Sequence, residues 1–218
     1  MAGRSTGSDE ERTFTAKGQA TRERIVAAAA QLIFEGGVAS TSWEDVEKAA
    51  GVNSSQLYHY FGDKQRLVRA VIAHQTRAVL ANQQPFLGSL DSLDALRAWR
   101  DLLVEGQRQT QCKGGCPLGS LTGELFEAHP EHREDLKIGF DLWEASIRDG
   151  LRAMQRRREL RRNADPDRLA TALLAALQGG LILSKVHRDP APLESALDTV
   201  IEHISSLATR RRDDSHQS

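Results

Sequence analysis

The most chemically informative residues lie in one short polar segment, 53–64. It opens with Asn53, Ser54, Ser55 and Gln56, and polar aromatic residues and a lysine follow. Asparagine and glutamine side chains can make two hydrogen bonds to the edge of adenine, and serine adapts to several bases. The segment therefore carries groups that could read the edges of nucleic-acid bases.

A second reactive group is the cysteine pair Cys112 and Cys116, which flank two glycines. Cys116 precedes Pro117, the expected first residue of a helix, where unpaired N–H groups favour a thiolate. Lys113 adds positive charge nearby. Cys112 is close enough in sequence to act as a resolving thiol if the loop can bend.

Two other interpretations of this pair stay open. Cys116 is also compatible with a small buried residue that packs a helix start, and burial would raise the pKa of its thiol and silence it. A zinc site built from Cys112, Cys116, His129 and His132 is a third possibility, although these spacings fit a structural zinc site only loosely.

The elements that must position these groups are helices. Ala, Leu, Arg, Glu and Gln are abundant and alternating β-branched residues are nearly absent, so we predict an all-α chain. An apolar stripe from Thr21 stops at the glycine pair 36–37, and Ser42 with Asp45 forms a capping box for a second helix that ends at Gly51. A third helix spans about 54–61, and Asp63 caps a fourth. Longer helices are predicted at about 91–109, 118–128, 131–158, 166–187 and 191–209.

These helices divide the chain into segments. We predict a disordered N-terminal arm over residues 1–17, a three-helix domain over 18–65, a larger C-terminal helical domain over 66–209, and a disordered tail over 210–218.

The second and third helices carry the clearest structural pattern. Two short helices are joined by a turn that contains Gly51, with Val52 as an apolar plug under the turn and a polar second helix. This arrangement is typical of a helix-turn-helix, whose second helix can enter the major groove. Other helical hairpins with glycine turns share the same spacing.

The residues themselves resemble the DNA-binding domain of the TetR family of repressors over positions 21–61. The remaining two-thirds of the chain is similar to the family mainly in helical layout and length. The stretches that carry the resemblance are 24–29, 34–37, 41–46, 49–52 and 57–61, followed by Lys64.

The resemblance implies a role for each matching residue. Thr41 and Ser42 are expected to meet a backbone phosphate, as the positive end of a helix attracts an anion. Asn53, Ser54, Ser55 and Gln56 are expected to face base edges. The residues expected to contact phosphates around this helix are Tyr58, His59, Tyr60 and Lys64.

One departure from the family concerns base reading. Many members carry Lys or Arg near the start of the recognition helix, where this chain has Ser54 and Ser55. Readout is therefore expected to depend on Asn53, Gln56 and DNA shape. Arg12, Lys17 and Arg22 are open to two interpretations, as an arm on the DNA or as a solvated segment.

The last two helices offer a dimer surface, and the family resemblance implies that they pair with their mates in a four-helix bundle. An intramolecular core would need the same apolar stripes. The residues that we predict at the interface are Leu173, Leu177, Gly180, Leu181, Leu193, Leu197, Val200, Ile201 and Ile204. The expected partners are a second copy of the chain and a palindromic double-stranded DNA operator.

The C-terminal domain is expected to receive a signal. Residues 111–119 resemble the glycine-cysteine-leucine-glycine stretch of a TetR branch, some of whose members respond to electrophiles or oxidants through this cysteine. The ordinary alternative is a pocket for an unidentified small-molecule inducer. Candidate wall residues are Trp99, Leu103, Cys116, Leu121, Phe126, Phe140 and Trp143.

Composition and charge narrow the remaining classes. The net charge of −1 shows no strongly basic domain of the kind that would support DNA binding, so the DNA prediction rests on geometry and local charge.

Location and catalytic function are predicted from missing signals. No signal peptide is recognised and no apolar run approaches the roughly 18 residues that cross a bilayer. A cytoplasmic location without a membrane partner is therefore predicted. No convincing catalytic constellation is found, so we predict a repressor that is not an enzyme and needs no metal or cofactor. The competing classes are a thiol-dependent helical enzyme that handles oxidants or electrophiles and a helical interaction module that does not bind DNA.

Overall fold

The computed structural model describes residues 14–209, and within this range the fold is all-helical, as predicted. The β pairing in that range is one isolated bridge between Leu160 and Ala208. Two short 3-10 helices, Phe86–Ser89 and Pro130–His132, supplement the α-helices. These are α1 (Ala16–Gly36), α2 (Trp43–Ala50), α3 (Ser54–Phe61), α4 (Lys64–Ala81), α5 (Leu93–Gln109), α6 (Pro117–Leu125), α7 (Arg133–Arg156), α8 (Pro166–His187) and α9 (Ala191–Ser206).

Side-chain caps explain where the N-terminal helices begin. The Thr15 side chain accepts a hydrogen bond from the Gly18 amide, so α1 already starts at Ala16. The prediction of a disordered arm over 1–17 is therefore wrong for its last residues. The rest of that arm with Arg12, and the predicted tail over 210–218, lie outside the described residues.

The longer helices begin close to the predicted positions, and three of them, α6, α7 and α9, end earlier than predicted. The bounds of α8 agree with the prediction, because Pro166 occupies its first turn and Asp165 caps it. By contrast α7 stops at Arg156, and Arg158 adopts a positive φ of 61° that no helix can continue. Helix α6 ends at Leu125 rather than near residue 128.

The first four helices share one apolar core. Helix α1 packs on α2 and α4, and α3 packs on α2 and α4. Because α3 is short, it is held by two side chains, Leu57 and Phe61, which are both buried in this core. The polar face of α3 is consequently left at the surface.

The C-terminal domain is a helical bundle in which α8 contacts both α7 and α9, while α5 packs on α9. Helix α4 joins the two domains, because it also packs against α6 and α7. Gly150 of α7 lies directly against the backbone of Leu90, where a β-carbon would overlap the Leu90 carbonyl group. The backbone of α7 is therefore in direct contact with the backbone of Leu90 at this point.

The predicted dimer residues lie mostly inside one subunit. All but Val200 are buried, because α8 and α9 pack on each other along these stripes. A β-carbon on Gly180 would stand 2.7 Å from Cα of Leu193, so this glycine serves the α8–α9 contact. The prediction is corrected accordingly: the buried residues are Leu173, Leu177, Gly180, Leu181, Leu193, Leu197, Ile201 and Ile204, and Val200 is half-buried.

A different face of α8 is apolar and exposed. Ile182, Leu183 and Val186 are exposed by 63%, 50% and 70%. Gly179 lies one turn before them and faces open space. Large apolar side chains grouped on one exposed face are typical of a surface that another protein covers.

The expectation that no segment is long and apolar enough to cross a membrane was wrong for α8. Pro166–His187 has the length and composition of a spanning helix. Its apolar character has another cause here, because nearly half of the apolar window is buried against neighbouring helices such as α7 and α9. Core helices of soluble proteins meet the same criterion.

Candidate nucleic-acid interface

The turn between α2 and α3 is built by reciprocal caps. Ser42 accepts from the amide of Asp45 at 3.1 Å, and the Asp45 carboxylate accepts from the amide of Ser42 at 3.0 Å. The Ser42 hydroxyl also donates to this carboxylate at 2.5 Å, and this bond, together with the one from the Ser42 amide, lowers the pKa of Asp45. Gly51 ends α2 in the left-handed conformation (φ 61°, ψ 44°), which a glycine adopts without a steric penalty. The two helices thus form the predicted helix-turn-helix.

The four predicted base-reading residues are exposed at the start of α3, and three are partly engaged. Asn53 Oδ1 accepts from the Gln56 amide at 2.9 Å, and Gln56 Oε1 accepts from the Asn53 amide at 3.2 Å. The Ser54 hydroxyl donates to Glu47 at 2.6 Å. The amide NH2 groups of Asn53 and Gln56 and the hydroxyl of Ser55 are therefore the groups best placed for base contacts.

An aromatic cluster covers the rest of α3. Tyr58 is 66% exposed and its ring meets Trp43 edge-on, with centroids 6.2 Å apart. His59 is exposed and packs on Tyr60, and Phe14 lies against both rings at 6.2 and 5.1 Å. The cluster holds the three side chains in fixed orientations at the edge of the recognition helix.

Thr41 and Lys64 are placed differently from the prediction. Thr41 is buried, and its hydroxyl donates to the Gly37 carbonyl at 2.8 Å. The Lys64 ammonium donates to the carbonyl oxygens of Val38 and Thr41 at 2.9 and 2.8 Å. Both side chains therefore fix the loop that leads into α2, and Ser42 alone of the predicted pair is exposed at the helix start.

The same loop is tied to the C-terminal domain. Glu124 of α6 accepts from the Val38 amide at 2.7 Å. Two further contacts start from α4: Gln65 donates to Glu131 in the 3-10 helix before α7 at 3.1 Å, and Arg69 pairs with Asp135 of α7 at 3.0 Å. These contacts connect the base of the helix-turn-helix with α6 and with the start of α7.

Arg22 and Lys17 of the proposed arm both belong to α1. The Arg22 guanidinium stacks over the Phe61 ring, 5.3 Å from its centroid, which holds this charge against the DNA-binding domain. Lys17 is exposed in the first turn of α1.

Both cysteines are reduced and buried. Cys116 caps α6, because its sulfur accepts from the Gly119 amide at 3.3 Å. Burial raises the pKa of this thiol, and the hydrogen bond from the Gly119 amide opposes that shift only in part. The shift is opposite to the one that a helix N-terminus alone predicts, because desolvation outweighs the helix dipole here.

The loop that carries the cysteines contacts the DNA-binding domain. The Cys112 carbonyl accepts from Arg188 at 3.2 Å. Gly114 has a φ of +88°, and a β-carbon at this position would overlap the ring of Phe34 at the end of α1. Within residues 14–209, no three His, Cys, Asp or Glu side chains are grouped so that they could hold a metal ion, which gives the zinc interpretation no support.

The predicted pocket residues divide into core and surface. Trp99, Leu121 and Trp143 are buried, and Trp99 donates from Nε1 to Gln83 at 2.9 Å. Leu103 and Phe140 are half-buried at the edge of the core. Phe126 is exposed under the Arg133 guanidinium, which corrects its predicted place in a pocket wall.

His132 lies between the domains and is only 2% exposed. Burial lowers its pKa, and nearby Arg69 and His129 act in the same direction, while Glu131 and Asp135 oppose it. Because the unfolded chain then binds more protons below about pH 6.5, the free energy of unfolding should fall as pH decreases below that value.

We expect His132→Phe to make this pH dependence shallower, because a phenyl ring still fills the site while the titrating imidazole is lost. Urea unfolding midpoints at pH 7.5 and 5.5 measure the effect. His74, whose pKa burial also lowers, should account for part of the remaining slope. An unchanged slope in the variant would show that His132 contributes nothing to it.

Several residues that support the interface were not identified from the sequence. Glu124, Gln65 and Arg69 act across the domain junction, and their partners lie 66 to 86 positions away in the chain. Phe14 was overlooked, because it lies within a segment predicted to be disordered. The position of this aromatic residue just before the first helix was the one signal that could have indicated its packing.

The chain matches two family descriptions that together cover most of its length. Residues 25–71 match "Bacterial regulatory proteins, tetR family" and residues 92–200 match "Tetracyclin repressor-like, C-terminal domain".

Individual proteins agree with these matches. The transcriptional regulator AcuR of Cereibacter sphaeroides is 30% identical over 184 residues, which cover 84% of each chain. The HTH-type transcriptional repressor DhaR of a Mycobacterium species is 24% identical over 187 residues, 84% of this chain and 91% of that protein. A solved TetR transcriptional regulator from Chloroflexus aurantiacus superimposes with a TM-score of 0.77 at 28% identity, covering 89% of this chain and 98% of that chain. The chain therefore belongs to the TetR family of DNA-binding transcriptional regulators.

Proposed function

We propose that this chain is a repressor that binds a palindromic operator as a homodimer and leaves it when a small molecule binds the C-terminal domain. The observation that carries the proposal is the helix-turn-helix with an exposed polar α3, joined through Glu124 and α4 to a separate helical bundle. An interaction module without DNA affinity would leave this polar, aromatic-flanked helix without a purpose.

We assign different roles to the residues around α3. Ser42, Tyr58 and His59 are exposed around the recognition helix and are proposed to contact phosphates. Ser55 and the side-chain amides of Asn53 and Gln56 are proposed to contact bases. Thr41 and Lys64 are proposed as positioning residues, because their polar groups hold the loop before α2.

Replacing Tyr58 tests the phosphate contact. We expect Tyr58→Ala to weaken binding of specific and non-specific duplexes alike, by about tenfold, since a phosphate contact carries no sequence information. Tyr58→Phe keeps the ring against Trp43 and removes only the hydroxyl, so it should show most of the same loss.

Fluorescence anisotropy with labelled duplexes at one salt concentration measures both variants. If Tyr58→Ala binds as the parent protein does, Tyr58 has no part in the contact. Size-exclusion chromatography serves as the control, because the dimer should be unaffected by either change.

The proposed dimer is formed by the exposed apolar face of α8. Ile182, Leu183 and Val186 would be covered by the partner subunit, and Gly179 would allow a close approach of helix backbones. Val200 of α9 is half-buried, and it would join this interface only if α9 also packs against the partner subunit. This arrangement would present the two recognition helices to one duplex, with half-sites about 34–36 Å or a multiple of that apart.

Two buried polar atoms support an inducer site inside the C-terminal domain. Gln107 Oε1 and Trp143 Nε1 have no hydrogen-bond partner among the described residues. Leaving such a group unpaired costs about 1–3 kcal/mol, so a ligand that supplies the missing acceptor or donor gains affinity. Binding would favour a state in which the recognition helices no longer match the half-sites.

Cys116 is proposed as a structural cap rather than a sensor, and its reactivity tests this. We expect iodoacetamide to modify Cys116 at least about tenfold more slowly in the native protein than in urea, because the buried thiol stays protonated. Cys116→Ser should keep the cap to the Gly119 amide and change stability by less than about 1 kcal/mol.

Peptide mass spectrometry measures the labelling rate. Rapid native labelling that releases DNA, and that Cys116→Ser abolishes, would establish the sensor role instead. The same slow labelling argues against a thiol-dependent enzyme, which requires an accessible thiolate.

A further inference from the structure

A cavity of about 330 Å³ lies between the DNA-binding domain and the C-terminal domain. Val38, Lys64 and Val68 line it from one side, and Leu125, Ala128 and His132 line it from the other. Two other lining residues, Ala39 and His129, are exposed at the surface, so a solute can enter from solvent. Its volume falls within the range of small-molecule sites in proteins.

The cavity is separate from the interior of the C-terminal bundle. None of the buried tryptophans lines it, and its walls come from the loop before α2, from α4, from the end of α6 and from the segment that joins α6 to α7. It includes neither Gln107 nor Trp143, the two residues proposed above for the inducer site.

The polar groups at the cavity define what could bind. The Glu124 carboxylate already accepts from the Val38 amide, and the lining Gln65 already donates to Glu131. Lys64 donates two of its three N–H groups to carbonyls in the described chain, which leaves one for another acceptor. The buried ring of His132 also lines the cavity, and its Nδ1 has no hydrogen-bond partner among the described residues. The remaining walls are largely apolar.

We propose that this cavity binds a small, neutral, mainly apolar molecule that carries one hydrogen-bond acceptor for the Lys64 ammonium. Its apolar body would cover Val68, Leu125 and Ala128. A neutral ligand is favoured over a carboxylate, because the cavity is lined by one group of each charge, the Lys64 ammonium and the Glu124 carboxylate, and so carries no net charge that would select an anion.

Such a ligand would also hold the two domains together. Because opposite walls belong to different domains, a bound molecule stabilises the arrangement in which Glu124 and the Val38 amide are bonded. A ligand shifts an equilibrium by its differential affinity for two states, and an arrangement without these walls cannot bind it equally well. The site is thus a second point at which a small molecule can act on the position of the helix-turn-helix.

The test uses a neutral fluorescent ketone, 6-propionyl-2-(dimethylamino)naphthalene, whose emission shifts to the blue in apolar surroundings. Titration into the full-length protein should give saturable binding of one probe per subunit. Ala128→Trp fills the cavity from an exposed position and should weaken binding by at least about tenfold. Ala81→Trp is the matched control, because this alanine is exposed at the far end of α4 and lies outside the cavity.

Amide hydrogen exchange gives an independent readout. The Val38 amide should exchange more slowly when the probe is bound, as its bond to Glu124 crosses the domain junction. The proposal is overturned if no saturable binding occurs, or if Ala128→Trp and Ala81→Trp bind the probe equally well. Neither measurement requires DNA, so the result is independent of the proposed operator binding.

Discussion

Leu183→Glu is expected to dissociate the homodimer. Leu183 is 50% exposed on the apolar face of α8, and in the proposed dimer a glutamate there would be buried without a partner. An unpaired buried charge costs several kcal/mol, so the dissociation constant of the dimer should rise by at least about 100-fold. Sedimentation velocity at micromolar concentrations measures the change.

Leu142→Glu is the matched control for this experiment. Leu142 of α7 is exposed by 49%, so the same substitution changes charge and helix propensity equally at a different surface. Circular dichroism should show the same helical content for both variants. Dissociation by Leu142→Glu rather than Leu183→Glu would place the interface on α7.

Loss of the dimer should also abolish tight operator binding. A single subunit can occupy only one half-site, so the affinity of Leu183→Glu for a palindromic duplex should fall by more than about 100-fold at fixed salt. A variant that is monomeric and still binds the duplex tightly would contradict the proposed two-site geometry.

Gly150→Ala is expected to lower the free energy of unfolding strongly, although it adds only one carbon atom. The new β-carbon would overlap the carbonyl carbon and oxygen of Leu90, which is fully buried, and backbone cannot move aside as a flexible side chain can. The free energy of unfolding should fall by about 3 kcal/mol, the upper end of the usual cost of overpacking a core.

Gly106→Ala provides the comparison. Gly106 lies inside α5 and faces open space, so alanine should stabilise the helix by up to about 1 kcal/mol. Urea unfolding of both variants at one protein concentration measures the difference, because the stability of a dimer depends on concentration. Equal effects of the two substitutions would show that α7 does not pack on Leu90 as described.

Local sequence signals predicted the helices well. The predicted caps at Ser42 and Asp63 and the glycines at the helix ends specify their positions through hydrogen bonds between neighbouring residues. Interactions of this kind are encoded within a few positions of the chain. Where they were absent, as at the end of α7, the predicted boundary was too late.

Local signals could not predict which face of a helix packs within the subunit and which faces a second subunit. An apolar stripe on α8 shows that a helix packs on something, and it does not show whether the partner is α9 or a second subunit. Leu173 and Leu177 were therefore predicted at the interface and lie inside the subunit, whereas Ile182 and Val186 were overlooked. Contacts such as Glu124 with Val38 depend on the tertiary fold and leave no local pattern.

Selection of bound duplexes from random oligonucleotides by the purified protein tests the central proposal most directly. A symmetric pair of subunits that each present one polar recognition helix should recover a palindrome, with half-site centres about 34–36 Å or a multiple of that apart. Recovery of a single unpaired site, or of no preferred sequence at all, would contradict the proposed dimeric repressor.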